Sequence, residues 1–403
     1  MLTDEDLQRE LTAAFHEDAD PIARTVIEPA ALLGRATGYR RRRAAVRAAA
    51  VMAAAAVLAA AITLEVTVVR PSPGPGLEAS PAGLLLAAKV ATAPSSSAAA
   101  QGMPRFYVVT DHNQPAAYVR DSATGRLHGT VRLPAGTDPK LTQVTAAGDG
   151  RTFVLALFSS ARGTRFYALR ITASGQSAGL TPLAIPPLPA REAADAIALT
   201  PDGTRLAVAI QTGGRDGKVE VITLATGAVR TWTTTRGGDG LPEALSWDAA
   251  GRRLTFFWSG ATSAAGLWLL DTSAPGTALL SGRRLLPQTV GPDEVQSALF
   301  NPDARTIIAS VTYNGTMRLT RGTVVGGIVE VSAQTGRPLR TLLAQRAAHS
   351  SDAGWYITSC LLSSIDATGN HLLVSCGKFG RLDRGRFTAL PGAAPQTAVA
   401  AAW

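Results

Sequence analysis

Few residues in this sequence have the types and spacing that chemistry requires, and the nearest match is a Gly-x-Ser-x-Gly motif at residues 175–179. In hydrolases such a motif holds a nucleophilic serine on a sharp turn between a strand and a helix. Here strand-like segments flank the motif on both sides, and the motif itself is polar. The sequence therefore predicts an ordinary turn at 175–179, with no nucleophile.

A second glycine-rich segment, Gly213 to Lys218, resembles a phosphate-binding loop only superficially. Its first glycine is misplaced, and Val219 stands where the loop needs Ser or Thr, so a hairpin turn is expected. Four histidines fall in four different predicted segments without the spacing of metal ligands: His112, His128, His349 and His371. We predict no catalytic, cofactor-binding or metal-binding residue, and no enzyme activity.

The only two cysteines, Cys360 and Cys376, lie symmetrically about position 368, within the turn of one predicted hairpin. In that register they face each other on adjacent antiparallel strands, with Cα atoms about 4.5–5.5 Å apart. This separation is within disulfide range. A disulfide is predicted; the alternative is a pair of small buried apolar residues.

These residues belong to a repeated pattern of a tight polar turn followed by an apolar strand. Copies occur at 146–157, 200–210, 247–258, 301–311 and 366–376. A period of about fifty residues built only of strands is typical of radial repetition, because one such unit cannot bury its apolar face alone. The sequence predicts an all-β, six-bladed β-propeller over 103–403, with blades at 141–187, 195–234, 243–287, 296–343 and 357–391 and a sixth from the two ends.

The sixth blade is predicted to combine three strands near its start with one at its finish. The segments 106–110, 116–121 and 128–133 come first, and 397–403 comes last. Joining them closes the ring and removes the exposed sheet edges that an open stack would present.

The Pro-Asp-Gly turn at 201–203 and the Pro-Asp turn at 302–303 resemble the repeat of TolB-like and WD-repeat-like propellers. The resemblance covers about 100–403, and several copies have degenerated, as at 247–250 and 365–368. It implies the propeller fold and a role in protein binding or scaffolding. It does not imply an activity.

A transmembrane helix is predicted at 48–69, where 48–64 carry no charge and Glu65 lies near one end. As a helix this segment would span about 33 Å, roughly the thickness of the bilayer hydrocarbon. The positive-inside rule places the N-terminal side in the cytoplasm because five arginines precede the helix: Arg40, Arg41, Arg42, Arg43 and Arg47. The alternative, a cleaved signal peptide, is disfavoured by a leader of 47 residues.

The expected domains are a cytoplasmic tail at 1–47, the membrane helix, a Pro/Ala/Ser-rich linker at 70–102 and the extracytoplasmic propeller at 103–403. Leu7, Leu11 and Phe15 predict a short amphipathic helix in the tail. The tail resembles those of membrane-anchored regulators, including anti-sigma factors, of high-GC Gram-positive bacteria. We expect the tail to be either a docking peptide for a cytosolic protein or only a solubilising segment. The zinc-binding type of anti-sigma factor is excluded because the tail has no cysteine.

The net charge of +9 does not predict nucleic-acid binding, since no basic stripe interleaved with aromatic residues is present. We expect a non-catalytic, single-pass membrane protein whose propeller binds a protein or cell-wall component, with membrane lipid around its helix and no cofactor. Two alternatives stay open: a membrane-bound regulator acting through 1–47, and an extracytoplasmic enzyme with its site in the propeller funnel.

Overall fold

Six four-stranded antiparallel sheets make up the described part of the chain, which confirms the predicted six-bladed propeller. The structure is a computed structural model. It describes residues 102–403 except 112, 191, 212–216, 235–239, 261–262, 288–292, 314–323, 347, 351–353, 357–359 and 391–397. The predicted tail, membrane helix and linker, including the five arginines at 40–47, lie outside the described residues. Within them, no helix has the length and apolarity needed to cross a membrane.

Each blade is numbered in chain order, and its strands follow one another from the centre of the ring to the outside. Blade 1 alone takes its innermost strand from the far end of the chain. Its strands are β1 (Phe106–Asp111), β2 (Gln114–Asp121), β3 (Leu127–Arg132) and, innermost, β26 (Ala398–Ala402). Blade 2 contains β4 (Gln143–Ala146), β5 (Thr152–Ser159), β6 (Gly163–Ile171) and β7 (Ser177–Pro182). Blade 3 contains β8 (Ala193–Leu199), β9 (Arg205–Gln211), β10 (Gly217–Thr223) and β11 (Val229–Thr233).

The other three blades follow the same order. Blade 4 contains β12 (Gly240–Trp247), β13 (Arg253–Gly260), β14 (Gly266–Asp271) and β15 (Arg283–Pro287). Blade 5 contains β16 (Asp293–Phe300), β17 (Thr306–Tyr313), β18 (Val324–Ser332) and β19 (Pro338–Arg346). Blade 6 contains β22 (Cys360–Ile365), β23 (His371–Cys376), β24 (Phe379–Asp383) and β25 (Arg386–Ala389). A small hairpin that the sequence did not predict, β20 (Ala348–Ser350) with β21 (Gly354–Tyr356), lies between blades 5 and 6.

The ring closes where β26 pairs with β1, as the sequence predicted. The two strands are antiparallel, and Val108 and Val109 lie opposite Ala402 and Ala401. Each innermost strand also contacts the innermost strand of the next blade, so β26, β4, β8, β12, β16 and β22 surround one axis. Because of this closure, the inner edge of β1 is hydrogen-bonded and is not exposed to other chains.

The hydrophobic core lies between neighbouring blades. The second strand of a blade is apolar on both faces because each face packs on a different blade, as Leu206–Ile210 of β9 shows with every residue buried. Alternate residues of that strand enter two different clusters, with Ala207 and Ala209 in one and Leu206, Val208 and Ile210 in the other. This explains why the inner strands read as continuous apolar runs.

Hydroxyl groups on the innermost strands link successive blades. Thr145 Oγ1 accepts a hydrogen bond from Leu199 N at 3.1 Å, and Ser246 Oγ accepts one from Phe300 N at 2.9 Å. Ser297 Oγ accepts from Leu362 N at 2.8 Å. These backbone N–H groups face a neighbouring blade instead of a strand of their own sheet, so without the hydroxyls they would be buried donors with no acceptor.

Candidate functional site

The propeller has two faces, which differ in what the strand order brings to them. Because all strands are antiparallel, the turns after the first and third strands of each blade lie on one side. We call this side the hairpin face; it carries the turns at 147–151, 200–204, 248–252, 301–305 and 366–370 and those at 122–126, 172–176, 224–228, 272–282, 333–337 and 384–385. The opposite face carries the turns after the second strands and the beginnings of the innermost strands.

The turns of the hairpin face contact one another around the ring. Gly148 N donates to Pro201 O at 2.9 Å, and Arg253 Nη2 donates to Ala304 O at 2.7 Å. Arg205 Nη2 likewise donates to Gly251 O. Gly369 has a positive φ of 73° and lies so near Asn301 that a Cβ there would be 2.3 Å from Asn301 Oδ1. This face is therefore a continuous surface of short, mutually braced turns.

The carboxylates of this face accept hydrogen bonds from their own turns. Asp202 accepts from the Thr200 and Thr204 hydroxyls at 2.6 and 2.8 Å. Partial burial alone would raise the pKa of Asp202, but these bonds and the nearby Arg205 outweigh it and lower the pKa. Asp271 behaves alike, since hydrogen bonds from Ser273 lower its pKa. These aspartates stay ionised at neutral pH and are committed to the fold.

Some arginines on this face donate hydrogen bonds that hold the fold together, and others are exposed. Arg230 donates to Thr272 O at 2.7 Å and lies over the Trp232 ring, 4.5 Å from its centroid. Arg381 donates to Asp383 Oδ2 at 2.7 Å and to Ser122 O at 2.8 Å. A further set is exposed and makes no side-chain ion pair among the described residues: Arg126, Arg151, Arg170, Arg305, Arg337 and Arg386.

The described chain begins on the hairpin face. A cavity of about 280 Å³ opens there, lined by residues that include Met103, Arg105, Asp149 and Arg151. The Met103 sulfur lies 3.0 Å from Arg381 Nη1. A second cavity of about 270 Å³, beside Trp232 and Asp271, opens at the same side, where Arg253 and Arg283 already donate to backbone carbonyls.

On blades 3 and 4, the described residues of the opposite face include three carboxylates, those of Glu192, Glu220 and Glu243. Lys218 Nζ lies 2.9 Å from Glu192 Oε2 and 3.0 Å from Glu220 Oε1. Partial burial alone would lower the pKa of Lys218, but its bonds to the two glutamates prevail and raise the pKa. On blade 4, Glu243 Oε1 accepts from the Ser259 hydroxyl at 2.8 Å. The sequence did not suggest this set, because Glu192 and Lys218 lie on either side of β9 and only the strand order of blade 3 brings them close.

Bulges interrupt five of the six innermost strands near this face, including β26, whose pairing with β1 shifts between Val109 and Asp111. The register shifts between Ala194 and Ala196, between Glu243 and Ser246, between Val295 and Ser297 and between Leu362 and Ser364. A bulge re-aims side chains and sharpens the local twist, and such bulges are common beside binding sites. No sequence signal marked them.

The structure brings Cys360 and Cys376 together as register partners on β22 and β23, with Cα atoms 4.2 Å apart and their sulfurs joined. The predicted symmetry about position 368 gives the correct cysteine pairing, although the strands next to the turn are out of that register. Ile365 lies opposite Leu372, one position out of the Cys360–Cys376 register, and the bulge at Ser363 restores it. The oxidation state in the cell stays a prediction.

The other residues considered in the sequence do not converge. Ser177 begins β7, and the residues before it form a turn after β6, with Gly175 at a φ of 82°. His128 lies on β3 and His371 on β23, while His112 and most of 213–218 lie outside the described residues. His371 Nδ1 does contact Asp383 Oδ1 at 2.7 Å, a pair the sequence did not suggest. Among the described residues, no group of three or more His, Cys, Asp or Glu is arranged to hold a metal.

Six sheets around one axis define the class of this protein as a six-bladed β-propeller. No protein-family model matches the sequence, and no curated protein sequence matches it. Solved structures that are similar include TolB from Acinetobacter baumannii, at 15% identity and a TM-score of 0.46, covering 74% of this chain and 65% of that one. The β-propeller domain of Cps50 (Swd1) from Myceliophteria thermophila is 13% identical, with a TM-score of 0.41, and the match covers 70% of this chain and 78% of that one. The fold class depends on the sheet topology of the chain itself.

Proposed function

We propose that this chain is a single-pass membrane protein that displays a non-catalytic propeller outside the membrane, where the opposite face binds a protein or cell-wall ligand. The anchor is the apolar segment at 48–69, and the arginines at 40–47 keep the tail in the cytoplasm. No cofactor takes part.

One observation carries the proposal: the chain enters the ring on the hairpin face. A Cβ on Gly150, in the turn after β4, would lie 3.3 Å from Pro104 Cβ. Trp403, at the other end of the ring, follows β26 on that same face. The chain that precedes Gly102 would therefore join the propeller on the hairpin side, which leaves the opposite face free for a ligand.

The chemistry of the opposite face supports a partner with basic groups. Glu192, Glu220 and Glu243 are held in place by Lys218 and by the Ser259 hydroxyl, so ordering them on binding costs little entropy. Leu361, on the innermost strand of blade 6, is 46% exposed at the same face of the ring. An exposed apolar side chain and fixed carboxylates on one face are the groups that a protein interface combines.

Site-specific photocrosslinking in intact cells tests this proposal. A photoreactive amino acid replaces Leu361 in the full-length chain, and the matched control replaces Leu127, which is also 46% exposed but lies on the hairpin face. We expect one discrete protein or wall adduct from position 361 and none of that mass from position 127. Absence of an adduct at 361, or the same adduct at both positions, would contradict the proposal.

A charge reversal locates the contact more finely. Glu243→Lys should reduce the adduct at position 361 about tenfold or more, because it places a cation where a basic partner would lie. If the adduct is unchanged, the carboxylates take no part. A regulatory role for residues 1–47 remains a separate prediction, tested by binding of a tail peptide to cytosolic proteins.

A further inference from the structure

Three of the four large apolar side chains that are exposed among the described residues lie near the start of the outermost strand of a blade, at its hairpin-face end. Leu127 begins β3, Val229 begins β11 and Leu339 is the second residue of β19. They are 46%, 44% and 56% exposed. Each follows a Thr-Gly turn, and they belong to blades 1, 3 and 5, so they are spaced evenly around the ring. Single exposed apolar residues are normal on a protein surface, so these three are informative only together with the charged groups of the same face.

Exposed arginines lie on the same face, two of them close in sequence to these apolar side chains. Arg126 directly precedes Leu127, Arg337 lies two residues before Leu339, and Arg386 begins the outer strand of blade 6. The guanidinium groups of all three are exposed and make no ion pair among the described residues. The neighbouring aspartates do not cancel them by pairing: Asp121 accepts from Thr124 Oγ1 at 2.8 Å, within its own turn.

Exposed apolar and guanidinium groups on one face match one kind of surface. At a bilayer interface, apolar side chains enter the boundary between headgroups and acyl chains, while arginines bind lipid phosphates. An anionic polysaccharide would use the arginines and leave the three apolar side chains without a role. The described residues begin at Gly102, which lines the cavity on this face.

We infer that the hairpin face rests on an anionic lipid bilayer, with Leu127, Val229 and Leu339 as a tripod and Arg126, Arg337 and Arg386 as phosphate ligands. This inference builds on the proposed anchor, because an anchored chain holds the face close to lipid. The contact fixes the direction of the propeller, so that a flexible linker need not determine where the opposite face points.

Hydrogen exchange of the full-length chain in lipid vesicles tests the inference. The vesicles contain phosphatidylcholine alone or with about one third phosphatidylglycerol. We expect amide exchange in the turns at 122–126, 224–228 and 333–337 to slow about threefold or more with the anionic lipid, and the effect to disappear in high salt. Equal exchange in the two kinds of vesicle would overturn the inference.

Two triple variants and a matched control show which side chains cause the lipid-dependent slowing of exchange. Arg126→Glu/Arg337→Glu/Arg386→Glu should abolish the lipid-dependent slowing, and Leu127→Ser/Val229→Ser/Leu339→Ser should reduce it. The control, Arg132→Glu/Arg162→Glu/Arg165→Glu, changes the net charge equally at exposed arginines towards the opposite face and should leave the slowing intact. Loss of the slowing in the control, or equal slowing by soluble dextran sulfate, would show a general polyanion effect and overturn the inference.

Alkaline carbonate extraction separates this result from a failure of the anchor. If the chain is extracted from neutral vesicles, the proposed anchor is wrong. The docking is then decided by flotation with the anionic vesicles at neutral pH. Binding that the arginine variant loses about tenfold and the control variant keeps supports the docking; no binding overturns it.

Discussion

The joint between blades 3 and 4 and the joint between blades 6 and 1 both hold neighbouring blades together, but they use different interactions. Between blades 3 and 4, Trp232, Trp247 and Trp258 share one buried cluster with Phe256, and Trp247 Nε1 donates to Ala198 O at 3.0 Å. Two consecutive stretches of chain meet there, so local contacts suffice.

The joint between blades 6 and 1 unites opposite ends of the ring. Tyr107 stacks on Phe379 with ring centroids 5.7 Å apart, and Trp403 N donates to Ser364 Oγ at 3.5 Å. The buried hydroxyl of Tyr107 and the indole N–H of Trp403 have no hydrogen-bond partner among the described residues, and burial raises the pKa of Tyr107 to about 12. Within the part of the chain that the structure describes, the closing joint thus has two unpaired buried groups, whereas the cluster between blades 3 and 4 has one, Trp258 Nε1, although the whole ring depends on the closing joint.

Deleting residues 398–403 should have the largest effect, because it removes β26 and exposes the edge of β1. We expect a loss of at least about 5 kcal/mol in the free energy of unfolding, beyond the range of ordinary point substitutions. Thermal unfolding and size-exclusion chromatography of the solubilised chain measure it. Trp403→Phe is the control and should cost no more than about 1.5 kcal/mol. A truncated chain as stable as the parent would show that the closing joint is dispensable.

The disulfide of blade 6 should rank second. Its 16-residue separation gives an expected contribution of about 3 kcal/mol through restriction of the unfolded chain. Cys360→Ala/Cys376→Ala and reductant should lower the unfolding temperature equally, and reductant should not affect the double variant. Intact mass without reductant reports the bond directly, and two free thiols in that measurement would refute it.

A pair of tryptophan substitutions tests the joint between blades 3 and 4. Trp247→Phe removes the donor to Ala198 O, whereas Trp258→Phe removes an indole N–H that has no partner among the described residues. Both lose similar volume, so the difference isolates the hydrogen bond. We expect Trp247→Phe to cost about 1–2 kcal/mol more in chemical denaturation. Equal costs would mean that packing alone holds this joint.

Serine substitutions compare the hydroxyl links of two joints. Ser246→Ala leaves Phe300 N buried without its acceptor and should cost about 1–2 kcal/mol. Ser364→Ala, which removes the longer bond from Trp403 N, should cost less than about 0.5 kcal/mol. Urea denaturation of both variants measures the two costs. A larger cost for Ser364→Ala would show that the closing joint has the stronger hydroxyl link.

The smallest effect concerns Lys218 of blade 3. Its pKa is raised in the folded chain, so the stability it adds is complete below the ordinary pKa of lysine and is lost as the pH rises through the folded value. The gap in unfolding free energy between the parent and Lys218→Gln should be below about 1 kcal/mol near pH 8 and shrink above pH ~10.5. A gap that is constant with pH would show that the two glutamates do not stabilise the charged lysine.

The sequence predicted the elements of the fold better than its surfaces. Blade boundaries followed from the turn-and-strand period, and closure by 397–403 followed from the need to protect an edge. The faces could not be predicted, because Leu127, Val229 and Leu339 lie far apart in sequence and only the strand order brings them to one side. The Glu192–Lys218–Glu220 set likewise depends on a pairing across blade 3, and the bulge at Ser363 has no local signature.

The pairing of β26 with β1 also has a consequence for how the chain folds. Thr110 Oγ1 donates to Ala400 O across 290 positions of sequence, among the most distant contacts in the molecule. Contacts of such separation form late, since the entropy of closing a long loop must be overcome first. Until then β1 presents an unsatisfied edge to other nascent chains, so the moment of greatest risk of aggregation comes just before the ring is completed.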